Sequence, residues 1–524
     1  MNQSLPANPR DGKPSAQIRA AAERHFEDGS RRMAAGRDRE ALADFRAALE
    51  LCPDLGEAEL NVGLLLEKDG TLEDALACCR RAATLLPDRA ESHFAVGNLC
   101  LKTRRLGEAV EAFRRALACQ PAFPQAWLNL GNALRLANDL SGAVDCYQRA
   151  GALRPESVEV QVNLANAYRA QNLLPESLAA GERALALDPE RPEAHLNYAM
   201  ALLVSGELGR AWPHAEYRHA WKLGGAGREF SQPRWAGGTV PAGRRILLHG
   251  EQGLGDTLQF VRYVPLVAKL GATVHLEVQA PLRDLLAASL PEAASVTAFG
   301  HALPEFDLHC PLPSLPLAFG TELATIPARV PYVRVPPAQV ERWRGFFGGG
   351  ARPKIGLAWA GNPTHPNDYN RSLPLAKLRD VFAGVSGARF FSLKKEVSAA
   401  DAVLLQESPE VVNLAPHLGD FADTAALIEQ LDLVIAVDTS VAHLTGALGR
   451  PLWVLLPFSP DWRWLLGRED SPWYPSARLF RQPRTDDWDN VVARVRTEIE
   501  VFCKAFRPVS KSSPASTPPA TESL

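Results

Sequence analysis

The sequence predicts two architectures in series: an all-helical array of repeated hairpins, then a doubly wound α/β region made of two lobes. Three observations carry this expectation. Pro53, Pro87, Pro121, Pro155 and Pro189 recur every 34 residues. Beyond residue 243, short runs rich in Val, Ile and Leu alternate with helical lengths, the pattern of parallel βα units. Around Phe346 to Pro353 that pattern resets behind a glycine-rich stretch, so two lobes are expected rather than one.

A chain of 524 residues is too long for a single hydrophobic core. Its net charge of −3, without any long Lys/Arg block, gives no reason to expect nucleic acid as a partner. Residues 1–17 form a polar, proline-containing leader without the apolar core of a secretion signal, and residues 507–524 a Ser/Thr/Pro/Ala tail. Neither can bury a core, and both are expected to be disordered. Every strongly apolar run is interrupted before the roughly 20 residues that a spanning helix needs, so no transmembrane segment is expected. The expected location is cytoplasmic, with peripheral attachment at the inner face of the membrane as the alternative. Cys52, Cys78, Cys79, Cys100, Cys119 and Cys146 fall in the helical half without metal-type pairing. Small buried thiols kept reduced explain them better than disulfides or zinc.

The array spans residues 18–222. The proline register also carries Ala41, Ala75, Ala109, Ala143, Ser177 and Ala211, and twelve residues earlier Gly29, Gly63, Gly97, Gly131, Ala165 and Ala199. Small residues at these places let two helices approach, Phe45, Phe113 and Tyr147 fill the gap between them, and proline closes each unit because it cannot continue a helix. This pattern resembles the tetratricopeptide repeat family, which implies an all-α superhelix of about six helix-turn-helix units. The sixth unit has Leu223 where the others have proline, and its AWPHAEYRHAWK is unusually aromatic. It reads as a cap docking onto the next domain.

Asn61, Asn129, Asn163 and Asn197 share one phase of the repeat, and Asn98, Asn132 and Asn166 share another three residues on, hence one helix face. Ala95 leaves a gap in the first series. Two uses stay open: amide contacts to an extended peptide in a groove, or bonds between neighbouring repeats. Resemblance to the asparagine ladders of protein O-glycosyltransferases points to the first.

A Gly/Pro-rich linker, 223–243, leads to the first lobe, 244–345, where RRILLHGEQGLGDTLQF reads strand, glycine loop, helix. Gly250, Gly253 and Gly255 suit a tight turn and close backbone approach, and Asp256 stands at the helix start. Its two readings are a helix cap and a general base. The spacing is not G-x-G-x-x-G and no Walker lysine follows. After a hinge, 346–352, the second lobe, 353–506 with its closing helix, takes strands from KIGLAWAGN, FFSLKKE, VVNL, LDLVIAV and RLFRQP. In LDLVIAVDTSVAHLTGALGRPLWVLLP, a strand-turn-helix-strand reading places Asp438, Thr439 and Ser440 where unpaired helix amides favour an anion. The competing reading is that Asp438 or Thr439 only caps that helix.

GLGD, WAGN with NRSLPL, SLKKE and VDTSVAHLTGALGRP, in that order over about residues 244–500, resemble glycosyltransferase family 9, the heptosyltransferase-like enzymes. The resemblance implies a GT-B fold of two Rossmann-like lobes with a cleft between them. It makes Asp256 the catalytic base on a cleft loop with Gly253 and Gly255. For donor binding it implies Asn362 of WAGN, Arg371 facing the diphosphate where the family has Lys, Glu396 on the ribose, and a phosphate turn of Asp438, Thr439, Ser440 and His443, with Ser440 for the family's Gly. The implied reaction is inverting and metal-independent transfer of a hexosyl or heptosyl group from a nucleotide sugar, which is substrate rather than cofactor. No metal site and no bound cofactor are expected. With an array attached, the expected acceptor is a hydroxyl of a protein bound in the groove; the alternatives are a lipid or oligosaccharide acceptor, and a non-catalytic scaffold with a degenerate α/β half. His443 also reads as a satisfied structural histidine, and Lys394 and Lys395 as a solvated pair. Trp462, Trp464 and Trp473 read as packing of the carboxyl helix back onto the first lobe rather than stacking on a base or sugar.

Overall fold

A computed structural model describes residues 15–220, 229–240, 243–348, 352–365, 367–385 and 387–507. Most of the leader, Leu223 with much of the linker, the middle of the hinge and the tail beyond 507 lie outside the described residues. The chain divides into two compact units, 1–194 and 195–524.

In the first unit, five helical pairs follow one another: α1 (Ala16–Ala34) with α2 (Asp38–Leu51), α3 (Gly56–Lys68) with α4 (Leu72–Leu85), α5 (Ala90–Lys102) with α6 (Leu106–Cys119), α7 (Pro124–Leu136) with α8 (Leu140–Leu153), and α9 (Val158–Ala170) with α10 (Leu174–Leu187). Each proline of the register falls just after the second helix of a pair, where its missing N–H breaks no ladder. Small residues are needed because of what stands opposite. A Cβ on Gly97 would lie 2.5 Å from the Phe113 ring, one on Gly131 2.5 Å from Tyr147, and one on Gly63 2.4 Å from Cys79 Sγ. Cys79 thus takes in the second pair the place that an aromatic ring fills in the first, third and fourth. A continuous core of Ala, Leu and these rings runs along the unit. Cys119 departs from the expectation of buried thiols: it is the last residue of α6 and is exposed, like Leu85, Leu153 and Leu187 at the same place in other pairs.

The second unit, from His195 on, holds all but the first three residues of the sixth pair, α11 (Pro192–Ser205) and α12 (Leu208–Ala215), together with both lobes. The first lobe contains β1 (Arg245–His249), α13 (Leu254–Phe260), α14 (Val264–Ala268), β2 (Thr273–Val278), α15 (Arg283–Ser289), β3 (Ala293–Ala298), β4 (Leu308–Pro311), α16 (Leu315–Ala318) and α17 (Pro337–Trp343). Its parallel sheet has the order β3-β2-β1-β4. The second lobe contains β5 (Lys354–Ala358), α18 (Asp368–Arg371), α19 (Leu375–Phe382), β6 (Arg389–Ser392), α20 (Ala399–Gln406), β7 (Val411–Asn413), α21 (Phe421–Ile428), β8 (Leu433–Val437), α22 (Ser440–Ala447), β9 (Leu452–Leu456), β10 (Ala477–Arg481) and α23 (Trp488–Ala505). Its parallel sheet runs β10-β9-β8-β5-β6-β7, so the winding reverses between β5 and β8. In open α/β sheets the ligand crevice opens outside the strand ends at such a reversal. Both lobes are therefore doubly wound, and each strand expected in the second lobe is present.

The sixth pair docks onto the first lobe within this unit. Trp212 Nε1 donates to the Thr321 carbonyl at 2.8 Å, and the buried Arg218, just past α12, donates to Glu251 Oε2 at 2.9 Å. The lobes meet where α13 lies against α22. Beside that contact Arg262 is wholly enclosed: it donates to the Trp473 carbonyl at 3.0 Å and to Tyr332 Oη at 2.9 Å, with the Tyr474 ring 5.0 Å away. The closing helix corrects one expectation. α23 packs Val491, Val495 and Ile499 into the second lobe's own core, beside α19, and not onto the first lobe.

Candidate functional site

At the winding reversal, the loops after β5 and β8 lie side by side. Three bonds shape the first. Gly361 N donates to Ser372 Oγ at 3.0 Å, Ser372 Oγ donates to Asp368 Oδ1 at 2.9 Å, and Arg371 Nε donates to the same oxygen at 3.3 Å. A Cβ on Gly361 would come within 2.7 Å of the Arg371 guanidinium and of Asp368 Oδ1, so WAGN and NRSLP pack closely here. Asn362 is exposed and spends its Oδ1 on an Asx turn, accepting from Thr364 N at 3.0 Å and Thr364 Oγ1 at 2.9 Å. Lys394, expected as half of a solvated pair, instead donates to the carbonyls of Ala360 at 3.3 Å and Gly361 at 3.1 Å, and burial holds its pKa down. Lys395 is exposed and reaches the Gly419 carbonyl. Glu396 is exposed in the loop after β6, one strand further along the same carboxyl edge.

After β8, Thr439 is the N-cap residue of α22, yet its side chain makes no capping bond. Its Oγ1 is buried and has no hydrogen-bond partner among the described residues, while the residue is 8% exposed. An N-cap threonine normally spends that oxygen on the helix's own amides. Ser440 opens the helix and is half-buried. Asp438 is buried; desolvation, with Asp461 adding, raises its pKa, and Arg463 and Arg371 oppose the rise. His443 Nδ1 lies 2.8 Å from Tyr474 Oη and its Nε2 3.7 Å from Asp438 Oδ1, and burial pushes its pKa well down. A neutral, hydrogen-bonded imidazole is the structural reading of that residue.

Asp256 comes to the same junction from the first lobe. It stands in the first turn of α13, where its Oδ2 accepts from Gly253 N at 2.8 Å, so it does serve the helix start. Its Oδ1 accepts from Arg463, which follows β9 in the second lobe. Glycine does a different service here than a tight turn. Gly250, Gly253 and Gly255 all avoid positive φ, and Gly255 is required because a Cβ there would lie 2.6 Å from the His443 ring. The close approach is helix to helix. Thus Asp256, Thr439 and His443 are brought together, with Arg371 close enough to influence both Asp438 and His443.

Arg463, Asp461 and His365 escaped the sequence reading. Arg463 pairs with Asp256 and donates to Asp461 Oδ1 at 2.9 Å; burial would lower its pKa, but Asp461, Asp256 and Asp438 more than offset that. Burial lowers His365, Arg371 adds to the fall, and Asp368, Asp461 and Asp256 act against it, which places His365 among these charges. The available signal was PDWRW, two opposite charges inside an aromatic run. The tryptophans there are packing residues: Trp464 and Trp473 are fully buried, and Trp462 meets Trp212 and Trp473 edge to face at 5.7 Å each.

The asparagines of the array divide. Asn129 Nδ2 donates to Asn98 Oδ1 at 2.8 Å, a bond between neighbouring pairs, and Tyr147 Oη donates to Asn132 Oδ1 at 2.8 Å. Asn61, Asn163, Asn166 and Asn197 are half-buried and carry no such bond among the described residues. Among the described residues no cluster of three or more His, Cys, Asp or Glu is arranged to hold a metal ion, and no helix is long and apolar enough to cross a membrane.

Comparison with known proteins matches the helical array and the second lobe to two different families. Residues 26–90, 81–122, 94–158 and 162–217 match the tetratricopeptide repeat family, and residues 386–480 match glycosyltransferase family 9 (heptosyltransferase). The second match includes Glu396 and the turn from Asp438 to His443, but not Asp256, Asn362 or Arg371. Protein FlbA of Caulobacter vibrioides is 29% identical over 329 residues, an alignment covering 57% of this chain and 54% of FlbA. The chain therefore matches about half the length of that curated relative. Among solved structures, MamA is 19% identical with a TM-score of 0.31, covering 32% of this chain and 93% of MamA. YrrB, a TPR protein with an unusual peptide-binding site, is 22% identical with a TM-score of 0.31, covering 34% of this chain and 98% of YrrB. PilF of Pseudomonas aeruginosa is 14% identical with a TM-score of 0.34, covering 39% and 92%. The chain thus carries tetratricopeptide repeats followed by a two-lobed α/β region with a glycosyltransferase family 9 domain in its second lobe.

Proposed function

We propose that the second unit transfers a glycosyl group from a nucleotide sugar to an acceptor hydroxyl, and that the acceptor is a polypeptide held by the helical array. One observation carries the reading: the buried, unpartnered Thr439 Oγ1 at the first turn of α22, beside the winding reversal. A diphosphate there would accept from that hydroxyl and from the free amides of the helix end. Arg371 would balance its charge. Asn362 and Glu396, on the same carboxyl edge, would meet the sugar or ribose.

The reaction then runs without a metal. As the acceptor oxygen bonds to the anomeric carbon, Asp256 takes its proton. The bond from that carbon to the donor phosphate breaks on the opposite side, and the nucleotide leaves with the electron pair. Configuration inverts. Fixed amides and guanidinium charge stabilise the departing phosphate, which in a water-poor site is the largest available contribution to rate. For the acceptor, the uncommitted amides of Asn61, Asn163, Asn166 and Asn197 offer donors and acceptors to an extended backbone.

Incubating the full chain with labelled nucleotide sugars and a cell lysate tests both halves. Label in the protein fraction is the expected result. Label in lipid alone would move the acceptor to a lipid or oligosaccharide. No label, with no nucleotide sugar raising the melting temperature, would leave a non-catalytic scaffold.

A further inference from the structure

Arg463 has no part in the mechanism above, yet it holds both lobes at once. From the loop after β9, its Nη2 donates to Asp256 and its Nε to Gln259, both on α13, while its Nη1 donates to Asp461 Oδ1 at 2.9 Å. The side chain is 10% exposed and lies over the Trp462 ring, 4.5 Å from its centroid. Asp438, next to Thr439, is also within reach of its charge. One guanidinium therefore serves carboxylates from the first lobe, the β8 end and its own loop. A buried, planar, permanently charged fork is the group at this junction best suited to phosphate oxygens, and each of its three nitrogens already donates to a partner.

The pairing bears directly on Asp256. Both of its oxygens already accept bonds, one from Gly253 N and one from Arg463. To take a proton from an acceptor hydroxyl, the carboxylate must give up or share the guanidinium. A diphosphate arriving at the first turn of α22 brings negative charge next to Asp438 and competes for that same fork.

We propose that Arg463 is a donor-sensing clamp: paired with Asp256 as seen here, it is drawn to the diphosphate when a nucleotide sugar binds, and so releases the base only once the donor is in place. On this view Arg463 touches the donor's diphosphate and, in moving to it, lets Asp256 go. The clamp rests on the glycosyl-transfer reading and adds an order to it, donor before acceptor. It also keeps the base from acting in an enzyme that holds no donor. A plain strut between the lobes would have the same bonds but no competition, and nucleotide affinity separates the two.

The test is calorimetric titration of UDP, GDP, ADP and CDP into the full chain as wild type, Asp256→Asn, Arg463→Gln and the double variant. Asp256→Asn is the deciding variant, because Asn keeps the shape and an oxygen for Gly253 N while removing the charge. Whichever nucleotide binds the wild type is expected to bind Asp256→Asn about tenfold tighter, the weight of freeing one close ion pair. Arg463→Gln is expected to bind it at least about tenfold more weakly, and the double variant to match Arg463→Gln instead of the sum of the two changes. If Arg463→Gln does not fold, the Asp256→Asn comparison decides alone. Equal or weaker binding by Asp256→Asn overturns the clamp and leaves glycosyl transfer standing. No binding of any of the four to the wild type overturns the donor site, and the clamp falls with it.

Discussion

The helical array and the junction between the lobes solve the same packing problem, a close approach of two helices, by opposite means. In the array the approach is local and repeated. Tyr147 bonds Asn132 from 15 residues away, and the glycine that admits its ring, Gly131, lies one residue further back. At the junction the approach is made once, between segments remote in sequence: Gly255 admits the ring of His443, and Asp256 pairs with Arg463 across 207 residues. A repeated local contact needs only a period in the sequence. A single distant contact needs two unrelated stretches to be complementary in shape and charge, and there the polar groups gather.

The largest expected effect falls on the junction alone. Asp256→Ala should lower glycosyl transfer by about two to four orders of magnitude, the usual weight of a positioned base, while nucleotide binding persists. Single-turnover assays with the labelled donor read this. Transfer at the wild-type rate would remove Asp256 from its role and leave it as a helix-start residue.

A matched pair of substitutions sharpens the contrast. Gly97→Ala drives a Cβ to 2.5 Å from Phe113 in the array, and Gly255→Ala drives one to 2.6 Å from His443 at the junction. Each is expected to cost about 1–3 kcal/mol by overpacking, read by chemical denaturation. Only Gly255→Ala should also weaken nucleotide binding, because His443 is tied to Tyr474 and lies beside Asp438. Equal affinity in both variants would detach the donor site from the helix contact.

Next in size is Thr439→Val, which keeps shape and removes the hydroxyl. Since that oxygen has no partner among the described residues, folding stability should hold or rise by up to about 1 kcal/mol. Nucleotide affinity should fall about tenfold, the worth of one hydrogen bond to a charged group. Unchanged affinity by calorimetry would make Thr439 an ordinary N-cap residue.

What was legible in the sequence follows the same division. The period of the prolines gave the helical pairs, and the short Val/Ile runs gave the parallel strands, because each is a local pattern repeated or bounded by Gly and Pro. The turn from Asp438 to Ser440 was legible as a helix start at a strand end. What escaped was the partner of Asp256. Nothing near GLGD points to PDWRW, and an arginine flanked by tryptophans reads as surface cation or core staple until the fold puts a carboxylate against it. The asparagine ladder was half legible: the phase was visible, but whether an amide faces its neighbour or a groove depends on side-chain direction, and the structure commits Asn98, Asn129 and Asn132 while leaving the others open.

The smallest effect tests the regularity of the array. In each pair one residue of the turn between its helices is left-handed: Gly36, Gly70, Arg104, Asn138 and Asn172, with φ of +72°, +87°, +61°, +67° and +59°. Glycine takes that conformation freely, asparagine tolerates it, and arginine is strained by its Cβ. The first five pairs thus carry one mismatched residue, in the third pair, against two glycines and two asparagines. Arg104→Gly should relieve the strain and stabilise the array by about 0.5–1 kcal/mol, net of the extra freedom glycine gives the unfolded chain. Gly70→Arg should cost a similar amount, since it moves the same mismatch one pair earlier. Opposite shifts of comparable size in urea denaturation would show that the turn is governed by its own backbone; a loss in both would mean that the Arg104 side chain stabilises the turn in some other way.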